Sequence, residues 1–159
     1  MRIADSIAES IAESIAESIA ESIADSIVTL ARDVRDAVVA HAREEAPLEC
    51  CGLLFGRGSE VVEAVRARNI ADEPATRFLI DPEDHFAGRR SARARGLEVV
   101  GFYHSHPGSP PEPSERDIAE FSYPGHLYLI VSLSSEPAEI GLFRFDSGRF
   151  HRVSFVTAG

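Results

Sequence analysis

Two histidines and an aspartate are spaced along this chain in a way that indicates a metal site. His104 and His106 follow the apolar run 99–103, which is typical of a short buried strand. Residues two apart in a strand project from the same face, so both imidazoles point one way and Ser105 points the other. Ten residues separate His106 from Asp117, enough for a proline-rich loop to return the carboxylate to the histidines. Three protein ligands leave one position open, which suits catalytic zinc better than structural zinc.

The same stretch resembles the signature of the JAMM (MPN-plus) zinc metallopeptidases, in particular their single-domain prokaryotic and archaeal members. The matching residues are His104, His106 and Pro107, with Ser114 and Asp117 at the family's spacing. Glu49, which precedes two cysteines and a glycine, stands where the family has an upstream glutamate. The resemblance extends from about residue 27 to the C-terminus, so only the N-terminal segment lies outside it.

The resemblance implies a role for each of these side chains. The two histidines and Asp117 would hold Zn²⁺, and Glu49 would act as general base for the attacking water. Ser114 would donate a hydrogen bond to the oxyanion of the tetrahedral intermediate. The residues alone do not distinguish Glu49 from Glu44 or Glu45, and the family pattern selects Glu49.

The family cleaves peptide or isopeptide bonds at the C-terminus of ubiquitin-like proteins. The resemblance therefore implies a zinc-dependent isopeptidase that acts on a ubiquitin-like modifier and its conjugates. An acidic chain in which all basic residues are arginine indicates a GC-rich genome, including that of a salt-adapted organism. If the host is a salt-adapted archaeon, the resemblance implies a desampylase. The alternative is a hydrolase that trims a sulfur-carrier protein or releases an amino acid from it, with the same site. A catalytically silent scaffold of this fold would not need all five polar side chains.

Composition limits the class of protein further. The chain has 159 residues, enough for one well-packed domain, and carries a net charge of −10 from 26 acidic and 16 basic residues. This acidity argues against nucleic acid as a partner. The apolar runs are far shorter than a membrane span, so we expect no membrane association, while the oligomeric state stays open. Cys50 and Cys51 are adjacent, which disfavours a disulfide and indicates buried thiols in a reducing cytoplasm.

The first 27 residues differ in composition from the rest. Residues 3–27 repeat the tetrapeptide Ile-Ala-Glu/Asp-Ser, and a period of four turns the isoleucine row of a helix by about 40° per repeat. We expect a helix here, with a disordered segment as the alternative. Six acidic residues interrupt the repeat, which argues against a signal peptide. The sequence therefore predicts a repeat extension over 1–27 and a JAMM/MPN-plus metallopeptidase domain over 28–159.

The remaining pattern predicts an α/β (α+β) fold, a mixed β-sheet flanked by helices. Strands are expected over 27–30, 51–55, 61–68, 78–80, 99–103, 127–133, 140–145 and 150–156. Helices are expected over 33–45, over 82–95 behind an Asp81 N-cap, and from Ser114. The last two strands are expected to form a closing hairpin. The family resemblance implies the same layout, akin to that of the cytidine deaminases.

Some side chains outside the motif have competing interpretations. The helix expected over 82–95 carries a basic cluster, either a solvated face or a docking patch for an acidic protein substrate. Its members are Arg89, Arg90, Arg93 and Arg95. We interpret His41 as lying at the edge of an apolar helix face and His85 as a surface residue. His126 and His151 have no partner at a metal-like spacing.

Overall fold

The computed structural model describes residues 2–120 and 123–159, which form a mixed β-sheet with flanking helices. The helices are α1 (Arg2–Ser26), α2 (Arg32–Glu45), α3 (Pro82–Ala94) and α4 (Glu115–Glu120). The strands are β1 (Val28–Ala31), β2 (Cys51–Arg57), β3 (Glu60–Ala67), β4 (Glu98–His106), β5 (Leu127–Ser132), β6 (Glu139–Asp146), β7 (Arg149–Arg152) and β8 (Phe155–Ala158). The predicted fold class is confirmed.

The eight strands of the described residues form one curled sheet. Their spatial order is β7-β6-β5-β4-β2-β3-β1-β8. β4 and β5 run parallel, as do β1 and both its neighbours, and the other pairs are antiparallel. β7 and β8 lie at opposite ends of this order, although only Val153 and Ser154 separate them along the chain. The sheet therefore curls so that its two edge strands lie near each other in space.

The end of the chain corrects one prediction. The single strand expected over 150–156 is wrong, because the chain changes partners in its middle. The Val153 N–H donates to the Leu142 carbonyl of β6, whereas the next residue, Ser154, accepts a hydrogen bond from the Val28 N–H. β6 and β7 form the predicted hairpin, and β8 pairs with β1 at the other edge of the sheet.

Alternate residues of the central strands contribute to two hydrophobic cores, one on each face of the sheet. α2 packs over the core that contains Tyr103 of β4, and α3 packs over the core that contains Phe102. Strands covered on both faces are apolar along their whole length, and every residue of β5 is buried. Because strand side chains alternate with a period of two, His104 and His106 lie on the same face as Phe102.

The segment between β3 and α3 corrects a second prediction. The strand expected over 78–80 is wrong, since Ile80 makes only an isolated bridge, with Asn69. Residues 69–80 form a connecting loop, called here the 69–80 loop. α3 begins directly behind it, with Asp81 as the predicted N-cap that accepts a hydrogen bond from a first-turn N–H.

The N-terminal repeat is helical, and α1 covers almost all of it. Five of its isoleucines remain 53–78% exposed. They are Ile3, Ile7, Ile11, Ile15 and Ile19. The helix is thus confirmed over the disordered alternative, while the division of the chain at residue 27 stays a prediction. Within residues 2–120 and 123–159, no helix is long and apolar enough to cross a membrane.

Candidate metal and catalytic site

β4 ends with the two histidines of the motif. The strand continues three residues beyond the predicted run, through His106, because β5 pairs with it to that point. Pro107 has no N–H to extend the ladder, and the strand stops before it. His104 and His106 are buried, at 1% and 4% exposure, on one face. Ser105 points to the other face, where its hydroxyl accepts a hydrogen bond from the Cys50 N–H (2.7 Å).

A reciprocal capping interaction with Ser114 at the start of α4 holds the side chain of Asp117. The Asp117 N–H donates to Ser114 Oγ (3.0 Å), and the Ser114 N–H donates to Asp117 Oδ2 (2.8 Å). As in a capping box, each side chain satisfies a backbone donor of the first helical turn. The interaction holds the Asp117 carboxylate against the histidines, with the residue only 5% exposed. Ser114 itself is exposed.

The three side chains converge on one point. His104 Nε2 and His106 Nε2 are 3.1 Å apart, and each lies 3.2 Å from Asp117 Oδ2. Ligand atoms bound to tetrahedral zinc at about 2.0–2.1 Å stand roughly 3.3 Å from one another. The triangle therefore has the dimensions that such an ion requires. Two imidazole nitrogens and one carboxylate oxygen are also a donor set that zinc accepts, so these residues fit the metal.

Contacts behind the two rings fix their orientation. His106 Nδ1–H donates to the Pro110 carbonyl (2.8 Å), which leaves Nε2 of the neutral ring as an acceptor facing the triangle. Phe78 of the 69–80 loop stacks on the His104 ring, with centroids 4.2 Å apart and planes 17° from parallel. Both imidazoles are thus held by groups outside the triangle.

Burial and hydrogen bonding shift the pKa values of the two histidines and Asp117 in opposite directions. Burial lowers the pKa of His104, although the bond to Asp117 acts to raise it. Burial also acts to lower the pKa of His106, but its bonds to Asp117 and to the Pro110 carbonyl outweigh this and raise the pKa. Burial acts to raise the pKa of Asp117, but the two adjacent histidine rings and the hydrogen bond from the Ser114 N–H hold it well below its usual range. Asp117 is therefore an anionic carboxylate at neutral pH.

Glu49 approaches the histidines from the segment that precedes β2. The residue is buried at 8% exposure, and a carboxylate oxygen lies within 4.8 Å of a ring nitrogen of both His104 and His106. Its N–H donates to the Pro74 carbonyl (2.8 Å), and its carbonyl accepts from the Asn69 side chain (3.0 Å). The backbone of Glu49 is thus held on both sides by the 69–80 loop.

The other two glutamates that the residues left open lie elsewhere. Glu44 and Glu45 are exposed at the C-terminal end of α2. Glu44 forms an ion pair with Arg66 (2.6 Å). Of the three carboxylates, that of Glu49 is the one brought to the two motif histidines.

The adjacent cysteines do not add a nucleophile to the site. Cys50 and Cys51 are free and buried, which confirms the predicted buried thiols. Burial raises the pKa of Cys50 to about 11 and that of Cys51 to about 12. Because the thiolate is the reactive form, both groups are inert at neutral pH.

The family model of prokaryotic homologs of the JAB domain matches residues 31–146. The chain belongs to this family. The matched range of the JAB-domain chain runs from the end of β1 to the end of β6 and contains every residue of the candidate site. The predicted family resemblance is thereby confirmed.

Two curated relatives of this JAB-domain chain are similar over most of their own length. A desampylase from Haloferax volcanii is 41% identical over 111 residues, which are 66% of this chain and 80% of the relative. A CysO-cysteine peptidase from Mycobacterium tuberculosis is 30% identical over 107 residues, which are 67% of this chain and 73% of the relative.

Solved structures show the same JAB-domain architecture. A protein from Desulfitobacterium hafniense superposes with a TM-score of 0.75 at 28% identity, over 83% of this chain and 93% of the other. A JAB1/MPN domain protein from Archaeoglobus fulgidus gives a TM-score of 0.55 at 21% identity, over 82% and 98% of the two chains. The second likeness concerns the fold alone.

Two residues that organise the site were missed by sequence reasoning. Phe78, which stacks on His104, falls in the strand that the sequence predicts over 78–80, and the sequence predicts no role for Asn69, which donates to the Glu49 carbonyl. Both contacts join segments 20 or more positions apart. Local spacing carries no signal for such contacts, and the resemblance named neither residue.

The remaining histidines lie outside the site. His41 is more buried than expected, and its Nδ1 forms a 2.7 Å hydrogen bond with a tyrosine hydroxyl of β4. His85 is half-buried, and both it and His126 pack against the ring of Phe102. His151 is exposed. Each of these rings therefore makes a structural contact or faces solvent.

Proposed function

We propose that this chain is a zinc-dependent hydrolase that cleaves isopeptide or peptide bonds at the C-terminus of a small ubiquitin-like modifier. The observation that carries the proposal is the 3.1–3.2 Å triangle of His104, His106 and Asp117 with the Glu49 carboxylate within 4.8 Å of both histidines. The similarity to the desampylase of Haloferax volcanii supports the choice of substrate class.

His104, His106 and Asp117 would hold the zinc ion. When bound, the ion would act as a Lewis acid and would lower the pKa of its bound water from about 15.7 to about 7. The Asp117 carboxylate contributes the negative charge of the ligand set, because its hydrogen bonds keep it ionised. The Pro110 carbonyl keeps the Nδ1 proton of His106 away from the metal position.

Two other side chains carry the proton transfer and the charge stabilisation. Glu49 takes a proton on its carboxylate from the attacking water and passes it to the leaving amine, which then departs neutral. The Ser114 oxygen accepts the Asp117 N–H, so its own O–H is directed elsewhere and can donate to the oxyanion of the tetrahedral intermediate. Ser114 is exposed, so it can meet substrate without rearrangement of the cap.

The burial of the site favours a narrow substrate. His104, His106, Asp117 and Glu49 are all at most 8% exposed, so substrate must bring its scissile bond into a buried position. An extended tail of small residues, such as a diglycine-like C-terminus, suits such a position. The proposed scissile bond therefore lies at the end of a flexible tail of the modifier.

The test is the cleavage of a ubiquitin-like modifier joined through its C-terminus to a lysine side chain. We expect cleavage that stops with a chelator and returns with zinc. Glu49→Gln should keep the metal and lose about a hundred- to ten-thousand-fold of kcat, because the proton acceptor is gone. Cleavage that survives the chelator, or normal turnover in Glu49→Gln, would contradict the proposal.

A sulfur-carrier protein is the second candidate substrate. The similarity to the CysO-cysteine peptidase favours it, since that relative covers 67% of this chain at 30% identity. A sulfur carrier bearing one amino acid at its C-terminus would be assayed beside the lysine-linked conjugate. The larger kcat/KM identifies the substrate class. If the zinc-loaded protein cleaved neither substrate, the result would indicate a catalytically silent scaffold.

The thiols support a cytoplasmic location. Cys50 and Cys51 are free and buried, as is common in proteins kept in a reducing environment. We propose that the protein acts in the cytoplasm.

A further inference from the structure

The segment that carries Glu49 has no strand of its own to hold it. Glu49 lies between α2 and β2, and the β2 ladder starts only at Cys51. Buried peptide groups need hydrogen-bond partners, so those of Glu49 must find them outside the sheet. They find them in the 69–80 loop, where Pro74 accepts the N–H and Asn69 donates to the carbonyl.

Asn69 uses its whole hydrogen-bonding capacity in this place. Nδ2 donates to the carbonyls of Glu49 (3.0 Å) and Arg77 (3.1 Å). Oδ1 accepts the N–H groups of Ala71 (3.0 Å) and Leu79 (3.0 Å). A side-chain amide offers two donors and one carbonyl oxygen with two lone pairs, so all four are used. One side chain thereby joins the Glu49 backbone to both ends of the loop.

We propose that Asn69 is a positioning residue that holds the Glu49 carboxylate at the distance from the metal that proton transfer requires. This inference rests on the proposed function, in which Glu49 is the general base. Asn69 donates to the carbonyl of Glu49 and contacts none of the three proposed ligands, so its direct effect is on the base and not on the metal. A displacement of about 1 Å at a reacting group can cost on the order of a hundredfold in rate.

The same loop also contacts one of the histidines. Phe78 of the 69–80 loop stacks on the His104 ring. Asn69 fixes the shape of that loop and the backbone of the base with the same amide.

Asn69→Asp separates the hydrogen bonds that Asn69 donates from those that it accepts. The carboxylate keeps an acceptor for the Ala71 and Leu79 N–H groups but removes the donor to Glu49 and sets two oxygens against each other. We expect kcat to fall about ten- to a hundredfold, with KM and zinc content unchanged. Asn69→Ala is the second variant, and thermal unfolding is followed for both. Wild-type kcat in either folded variant, or loss of zinc together with kcat, would overturn the proposal.

A double variant distinguishes positioning from a general structural role. If Asn69 acts through Glu49, adding Asn69→Asp to Glu49→Gln should cause no further loss of the residual rate, whereas independent roles multiply. Asp81→Ala is the matched control, because it removes the N-cap behind the same loop without touching Glu49. It should lower the melting temperature and leave kcat within about twofold.

The same assays keep the two proposals apart. Wild-type protein that binds zinc but cleaves no conjugate would refute the proposed function and this role with it. Chelator-sensitive cleavage in the wild type with multiplicative losses in the double variant would refute the role of Asn69 alone.

Discussion

At the centre of the site, two imidazole nitrogens and one carboxylate oxygen face one another. His104 Nε2, His106 Nε2 and Asp117 Oδ2 lie 3.1–3.2 Å apart, and in the neutral ring of His106 the Nδ1 proton leaves Nε2 with a lone pair directed at the other two atoms. A cation at the middle of the triangle could bind all three atoms. The convergence of His104, His106 and Asp117 was predictable from sequence because strand periodicity and helix capping are local rules. Asn69 and Phe78 were not, because their roles depend on how distant segments meet.

Removal of a ligand should abolish metal binding and activity together. His104→Ala or Asp117→Ala leaves two donors, too few for tight zinc binding at a catalytic site. Elemental analysis should find far less than one zinc per chain, and conjugate cleavage should be undetectable. Ser105→Thr, on the opposite face of β4, is the control and should bind zinc normally. A full zinc content in either ligand variant would exclude that residue from the metal site.

At the scale of elements, β4 connects the core to the chemistry. It pairs with β2 on one side and β5 on the other, and its alternate residues face the two cores. The alternation of apolar residues predicted most strands, since it is a property of each strand alone. It could not predict that the chain changes edges at Val153, because the pattern of a strand does not name its neighbours.

The close approach of β4 and β5 requires glycine at one position. A Cβ on Gly101 would overlap the carbonyl oxygen of Leu127. We expect Gly101→Ala to lower the free energy of unfolding by about 1–3 kcal/mol, as overpacked core substitutions do. Denaturant unfolding measures the change. Gly108→Ala is the control, because no described atom lies within 4 Å of the added methyl group. Equal stability of the two variants would contradict this packing.

The contact between α2 and β4 makes stability depend on pH. Burial lowers the pKa of His41, whose ring bonds the Tyr103 hydroxyl, below the value of about 6.5 in an unfolded chain. The neutral ring is therefore favoured by folding. Its stabilisation is complete above about pH 6.5 and is lost as the pH falls through the folded pKa.

His41→Gln provides the comparison, because glutamine keeps a polar group but does not titrate. The free energy of unfolding should fall more for the wild type than for His41→Gln between about pH 7.5 and about pH 5.5. An equal fall in both proteins would show that His41 does not contribute to the acid sensitivity.

At the scale of the whole molecule, the site belongs to residues that follow the repeat. Every side chain of the candidate site lies between Glu49 and Asp117, whereas α1 ends at Ser26. The basic cluster on and just after α3 is exposed, and Arg95 pairs with Glu63. This cluster is either a solvated helix face or a docking patch. Binding of a partner through an acidic surface would identify the docking patch.

Deletion of residues 1–27 should leave catalysis unchanged. We expect kcat/KM for the conjugate and the zinc content to stay within about twofold of the full chain, because β1 begins after the deletion. Steady-state kinetics on both proteins measures this. A large loss of activity, or a chain that no longer folds, would show that the extension is part of the catalytic domain.

The metal position itself is the most direct test. Anomalous X-ray diffraction at the zinc edge from crystals of the zinc-loaded protein locates the ion without assumptions about activity. We predict one peak about 2.0–2.2 Å from His104 Nε2, His106 Nε2 and an Asp117 carboxylate oxygen. A zinc peak bound by other residues, or none at this triangle, would contradict the assignment of the metal centre and the hydrolysis built on it.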